Sequence, residues 1–138
     1  SKKIEENKQV YYEHLKQAQR KQEVMEWLRY FFSVITEAQK EVKETVRFVV
    51  EKAVFFDRYS HQLNERQSKV LRKMTDKGKF GFEGGMTSKK YMSITKTSKA
   101  TATRDLQFLH EIGALTREGE GRGVKYHLNW IVNKDFVL

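Results

Sequence analysis

Ser98-Lys99-Ala100-Thr101-Ala102-Thr103-Arg104-Asp105-Leu106-Gln107-Phe108-Leu109-His110-Glu111-Ile112-Gly113 is the stretch that decides the fold. At 100° per residue, Ala102, Leu106 and Leu109 line one helix face, with Ile112 beside them. Ala100, Thr103, Arg104 and Gln107 take the opposite side. Ser98 suits an N-cap, and Gly113 suits the left-handed position that closes a helix. Upstream, Thr87 caps a shorter predicted helix that runs through Tyr91 to Ile94. Only Thr95-Lys96-Thr97 separates the two. Two short helices joined by about three residues are a helix-turn-helix.

The flanks extend this pattern. Leu63-Asn64-Glu65-Arg66-Gln67 predicts a helix start, with Asn64 and Gln67 spaced for reciprocal capping bonds. Val70, Leu71 and Met74 form its inner face, and Gly78 ends it. Lys79-Phe80-Gly81-Phe82-Glu83 alternates as a short strand does. Ala114-Leu115-Thr116-Arg117 and Val124-Lys125-Tyr126-His127-Leu128 suit two further strands around a Gly-rich tip, which makes a β-hairpin. Helix, strand, helix, helix, hairpin is the order of a winged helix-turn-helix domain, predicted here for residues 60–138.

Residues 1–59 read as a helical segment. All 8 Gly lie between Gly78 and Gly123 and the chain has no Pro, so nothing before Gly78 forces a helix to break. Ile4, Tyr11, Leu15 and Ala18 predict a first helix from about Lys3 to Gln19, followed by a polar break at Arg20-Lys21-Gln22. Trp27, Leu28, Phe31, Ile35, Ala38, Val42, Val46, Val49, Ala53 and Phe56 then recur at steps of three and four, as one long helix or two in sequence. The aromatic cluster Trp27, Tyr30, Phe31 and Phe32 needs a cover. The winged domain, a second copy in a homodimer, or an absent neighbour would each supply one. The expected fold class is mainly α with a small β-hairpin wing.

Composition narrows the function. The chain has 138 residues, 27 Lys and Arg, 18 Asp and Glu, and a net charge of +9. From Arg66 to Arg104 there are 11 basic side chains against Asp76 and Glu83, a surplus that favours a polyanionic partner. With no Cys there are no disulfides, thiolate zinc sites or cysteine nucleophile. No apolar run is long enough to predict a membrane span, and no signal peptide pattern opens the chain. The four His residues lack metal-ligand spacing. Gly119-x-Gly121-x-Gly123 falls in the hairpin, not between a strand and a helix as a dinucleotide fingerprint requires. The expectation is a cytoplasmic protein without metal or cofactor and without a membrane partner.

Double-stranded DNA is the expected partner, because the second helix of a helix-turn-helix lies in the major groove in DNA-bound forms. Arg104, Thr103 and Gln107 are the candidate base readers. Lys89, Lys90, Lys96 and Lys99 are candidate phosphate contacts, and Arg122 at the hairpin tip suits a phosphate or a minor groove. Ser98, Thr101 and Lys125 complete the candidate set. Thr101 and Thr103 equally suit local hydrogen bonds. A winged helix also serves as a protein-interaction or oligomerisation module with no DNA binding, because fold does not fix function.

Several ordered blocks carry a family resemblance. Leu63–Gln67, Met86-Thr87-Ser88-Lys89-Lys90-Tyr91-Met92 and Ser98–Leu106 resemble the C-terminal winged helix of bacterial Fic proteins. Tyr11-Tyr12-Glu13-His14-Leu15-Lys16-Gln17-Ala18-Gln19 and Trp27-Leu28-Arg29-Tyr30-Phe31 resemble the helices that follow the Fic catalytic motif. The resemblance implies adenylyl transfer from ATP to a protein hydroxyl, on a His-Pro-Phe loop followed by a Gly-Asn-Gly-Arg anion nest. This chain has no Pro and so no such loop, and none of His14, His61, His110 or His127 opens one. The expectation that follows is a non-enzymatic C-terminal part of a Fic protein, with the Fic domain as its missing N-terminal neighbour and a role in transcription regulation or targeting.

Overall fold

The structure is a computed structural model that describes residues 2–130, with side chains from Glu5 onward. The chain forms α1 (Lys2–Tyr59), a 3-10 turn (Ser60–Gln62), α2 (Glu65–Asp76), α3 (Ser88–Thr95), α4 (Lys99–Glu111), β1 (Leu115–Glu118), a second 3-10 turn (Gly121–Gly123) and β2 (Lys125–Leu128). It is mainly α with one antiparallel hairpin, as the sequence predicts. Two compact units divide inside α1, Ser1–Thr45 and Val46–Leu138. Ile4 and residues 131–138, which the sequence reading includes, lie outside the described side chains.

In the first unit, the expected break at Arg20-Lys21-Gln22 does not occur, and α1 runs straight through it. Arg, Lys and Gln are among the better helix formers, so a gap in the apolar stripe is not a gap in the helix. Ser33, Thr36 and Thr45 return their hydroxyls to the carbonyls of Tyr30, Phe32 and Glu41. Trp27, Tyr30, Phe31 and Phe32 are all exposed, Tyr30 most at 69 %.

In the second unit, the last turns of α1 belong to the winged helix. Phe55 and Tyr59 are buried in the same core as Val70, Leu71, Met74, Tyr91, Leu106, Leu109 and Leu115. Each of the Phe, Val, Leu and Met side chains among them contributes about 1.5–3 kcal/mol by leaving water. Phe55 stacks edge-on against Tyr59, and the Tyr59 hydroxyl donates to the Gly113 carbonyl at 3.1 Å. Lys52 pairs with Asp76 at 2.9 Å.

Each core helix begins on a cap the sequence predicts. Asn64 Oδ1 accepts from Gln67 N, and Gln67 Oε1 accepts from Asn64 N, which closes a full capping box. Thr87 accepts from Lys90 N, and Ser98 accepts from Thr101 N. Such caps are worth about 1 kcal/mol each. Lys96 turns the chain between α3 and α4 in the left-handed conformation, at φ 56°.

The strand expected at Lys79–Glu83 is not formed. Gly78, Gly81 and Gly84 all take positive φ, so the segment turns instead of extending. Beyond it, an isolated bridge ties the chain to the hairpin: Met86 and Tyr126 exchange two backbone hydrogen bonds at 2.7 and 2.8 Å. The hairpin pairs Leu115 with Leu128 and Arg117 with Tyr126.

Candidate nucleic-acid interface

Asp105 fixes how the helices of the second unit meet. It is buried, and its carboxylate accepts from Tyr91 Oη of α3 at 2.7 Å, from Arg66 Nε of α2 at 2.9 Å and from Gln67 Nε2 at 3.2 Å. Burial alone would push the Asp105 carboxyl up. The hydrogen bonds from Arg66 and Tyr91, with the Arg66 charge, outweigh that and hold it below the ordinary carboxylate value. Burial and the bond to Asp105 push the Tyr91 phenol well above its ordinary value. Arg66, part of the basic surplus in the sequence, is therefore a structural partner, and the net charge of the pair is zero.

The helix-turn-helix and the wing enclose a groove of about 450 Å³. α3 contributes its first turn, Ser88 and Lys89. α4 contributes Lys99, Thr103 and Gln107, and the hairpin contributes Arg117 and Arg122. No carboxylate lines the groove among the described residues. Lys89, Lys99, Arg117 and Arg122 form no ion pair among the described residues. The first N–H groups of a helix lack intrahelical partners and favour anions, so the start of α3 adds to the positive field.

Five of the candidate residues thus meet in one place: Lys89, Lys99, Thr103, Gln107 and Arg122. The other six do not line the groove. Lys90 donates from Nζ to the carbonyls of Glu83 and Gly85, both at 2.8 Å, and so fastens the loop before α3. Ser98 and Thr101 bond to each other as the cap of α4. Lys96 is an exposed turn residue. Arg104 is exposed on the outward face of α4, one step around from Gln107. Lys125 pairs across the hairpin with Glu118, on the face that also holds the His127–Glu118 contact of 2.7 Å. Tyr126, on the other face, is the one turned to the groove.

Arg117 is the residue that the sequence reading leaves out of the site. Side chains alternate along a strand, so Arg117 shares a face with buried Leu115, and its cross-strand partner is Tyr126. Counting two residues on from Leu115 would have found it. No group of metal-binding side chains occurs among the described residues, and no helix is long and apolar enough to cross a membrane. No protein-family model matches the chain, and no curated protein matches it either.

Proposed function

We propose that the chain binds double-stranded DNA, with α4 at the major groove and the wing beside it. One observation carries this reading: a groove between recognition helix and wing that holds Lys89, Lys99, Arg117 and Arg122 and, among the described residues, no carboxylate. Cations contacting phosphates fix register, and Thr103 and Gln107 stand next to them as candidate base contacts. Arg104, exposed on the same helix, is a third candidate reader. With this reading goes a role in regulation, in the cytoplasm. The test is duplex affinity against salt. Each phosphate contact contributes a log–log slope of about −0.9, so engagement of the groove predicts a steep fall. No binding at low salt, or a flat dependence, overturns the proposal.

We also propose that the chain is the C-terminal regulatory or targeting part of a bacterial Fic family protein and transfers no AMP itself. The ordered sequence blocks given above support this. The check is the coding sequence upstream of Ser1, where a His-Pro-Phe motif followed by Gly-Asn-Gly-Arg is expected. A different domain there overturns it.

A second reading is an interaction or oligomerisation module without DNA binding. The exposure of Trp27, Tyr30, Phe31 and Phe32 favours it. Self-association with no duplex affinity at low salt would select it over the first.

A further inference from the structure

α1 carries a seven-residue repeat. Met25, Phe32 and Gln39 are spaced by seven, as are Leu28, Ile35 and Val42, and the two sets interleave at steps of three and four. These are the a and d positions of a heptad, and on a straight helix they form one narrow seam. Met25, Phe32, Ile35 and Val42 are all exposed, by 36 to 61 %. The spacing continues in the sequence to Val46 and Val49, which are exposed as well. An exposed apolar stripe this long needs an occupant.

Gln39 identifies it. We infer that α1 pairs with α1 of a second copy of this chain, parallel and in register, along Met25, Leu28, Phe32, Ile35, Gln39 and Val42. Gln39 is the one polar residue in that run. A side-chain amide has both donor and acceptor, so Gln39 is complementary to itself and satisfied when two copies meet at the same level. Single polar residues at a positions fix register in this way. The antiparallel alternative that keeps the other layers apolar sets Gln39 against Ile35 of the second copy, where the amide has no partner. It also brings Arg29 of one helix towards Lys43 of the other, two like charges. In the parallel pair, Arg29 and Lys43 face Val24 and Ala38, whose surfaces their aliphatic stems can cover. Phe31 flanks the seam, and Trp27 stacks on it at 5.2 Å with the rings 8° from parallel. The inference does not depend on DNA binding and concerns a separate part of the chain.

The absence of Cys makes the test direct, since one introduced thiol reports alone. Sedimentation of the 138-residue chain is expected to give a dimer. Val42→Cys is expected to link into a disulfide dimer on mild oxidation, because parallel pairing brings position 42 against itself. Ile35→Glu is expected to weaken association at least 10-fold, with helicity by circular dichroism and the melting of the winged domain unchanged. A chain that stays monomeric at tens of micromolar overturns the proposal, and points to a different protein or domain as the cover of the stripe. A dimer in which Val42→Cys fails to link with itself while a mixture of Phe32→Cys chains and Val42→Cys chains links readily as a heterodimer also overturns it, in favour of the antiparallel pair.

Discussion

Tyr91 donates its phenolic hydrogen to Asp105 across 2.7 Å, and both residues are buried. The bond joins the two helices of the helix-turn-helix, and Arg66 and Gln67 tie α2 to the same carboxylate. The orientation of the outward face of α4 therefore depends on one side chain of its inward face. Asp105→Ala leaves the Tyr91 hydroxyl and the Gln67 amide without a partner, at about 1–3 kcal/mol each. Arg66 is partly exposed and can return to water, so its loss adds less. The expected fall in unfolding free energy is about 3 kcal/mol in urea titration, given these two terms. A midpoint equal to the parent's would show that the network does not hold the helices.

The same network sets a pH dependence with opposite signs at the two ends. The folded Asp105 carboxyl sits below its ordinary value, so its contribution is complete above about pH 4 and is lost as pH falls further. The folded Tyr91 phenol sits above its ordinary value, so its contribution is complete below about pH 10 and is lost as pH rises beyond that. Thermal midpoints are expected to be level between about pH 5 and 9 and to fall outside that range. Tyr91→Phe should flatten the alkaline limb, and Asp105→Asn should flatten the acid one. A Tyr91→Phe profile that keeps the full alkaline fall would assign that fall to another group.

The parts of this fold that were legible in the sequence are local ones. Asn64, Thr87 and Ser98 bond to backbone groups three residues on, and Gly113 and the hairpin depend on immediate neighbours, so short-range spacing was enough to place them. Long-range partners were not legible. Nothing adjacent to Asp105 says that it will meet Arg66 and Tyr91, and nothing near Lys90 says that its ammonium will turn back onto two carbonyls. The basic surplus from Arg66 to Arg104 therefore overstated the free charge of that stretch. It also stops short of Arg117 and Arg122, half of the groove's cations, of which only Arg122 was legible, from its place at the hairpin tip. The expected strand at Lys79–Glu83 failed for a local reason that alternation hides. Its central Gly81 takes φ +68°, which ends an extended run.

Gly85 offers a test of how tightly the segment before α3 is held to the hairpin. It takes φ +72°, and a Cβ there would stand 2.8 Å from His127 Cε1 and 3.1 Å from the Tyr126 carbonyl. Gly84 takes a similar φ of +70° but has open space where its Cβ would be. Both Ala variants meet backbone strain of about 1–2 kcal/mol. Only Gly85→Ala must also displace the His127 ring and crowd the Tyr126 carbonyl. It is expected to lose more stability than Gly84→Ala by about 1 kcal/mol or more, in line with the cost of overpacking. Equal losses would mean that His127 swings clear and the bridge at Met86 is looser than its 2.7 Å hydrogen bond suggests.

Single-charge variants separate the groove from the rest of the basic surface. Lys99→Ala and Arg117→Ala each remove a groove cation, and each should make the salt slope of duplex binding shallower by about 1. Lys125→Ala removes the same charge from the opposite hairpin face, so its slope should match the parent's. Lys90→Ala should act on stability instead. It takes one donor from the Glu83 and Gly85 carbonyls, worth about 0.5–1.5 kcal/mol for each bond, and leaves the slope unchanged. Lys96→Gly is a further control, because it removes an exposed charge while relieving a left-handed lysine, and its melting point should hold or rise. If all five variants lower the slope alike, DNA senses only the net +9 of the chain and the groove has no special part. If Lys99→Ala and Arg117→Ala alone lower it, the contact is confined to the space between α4 and the wing.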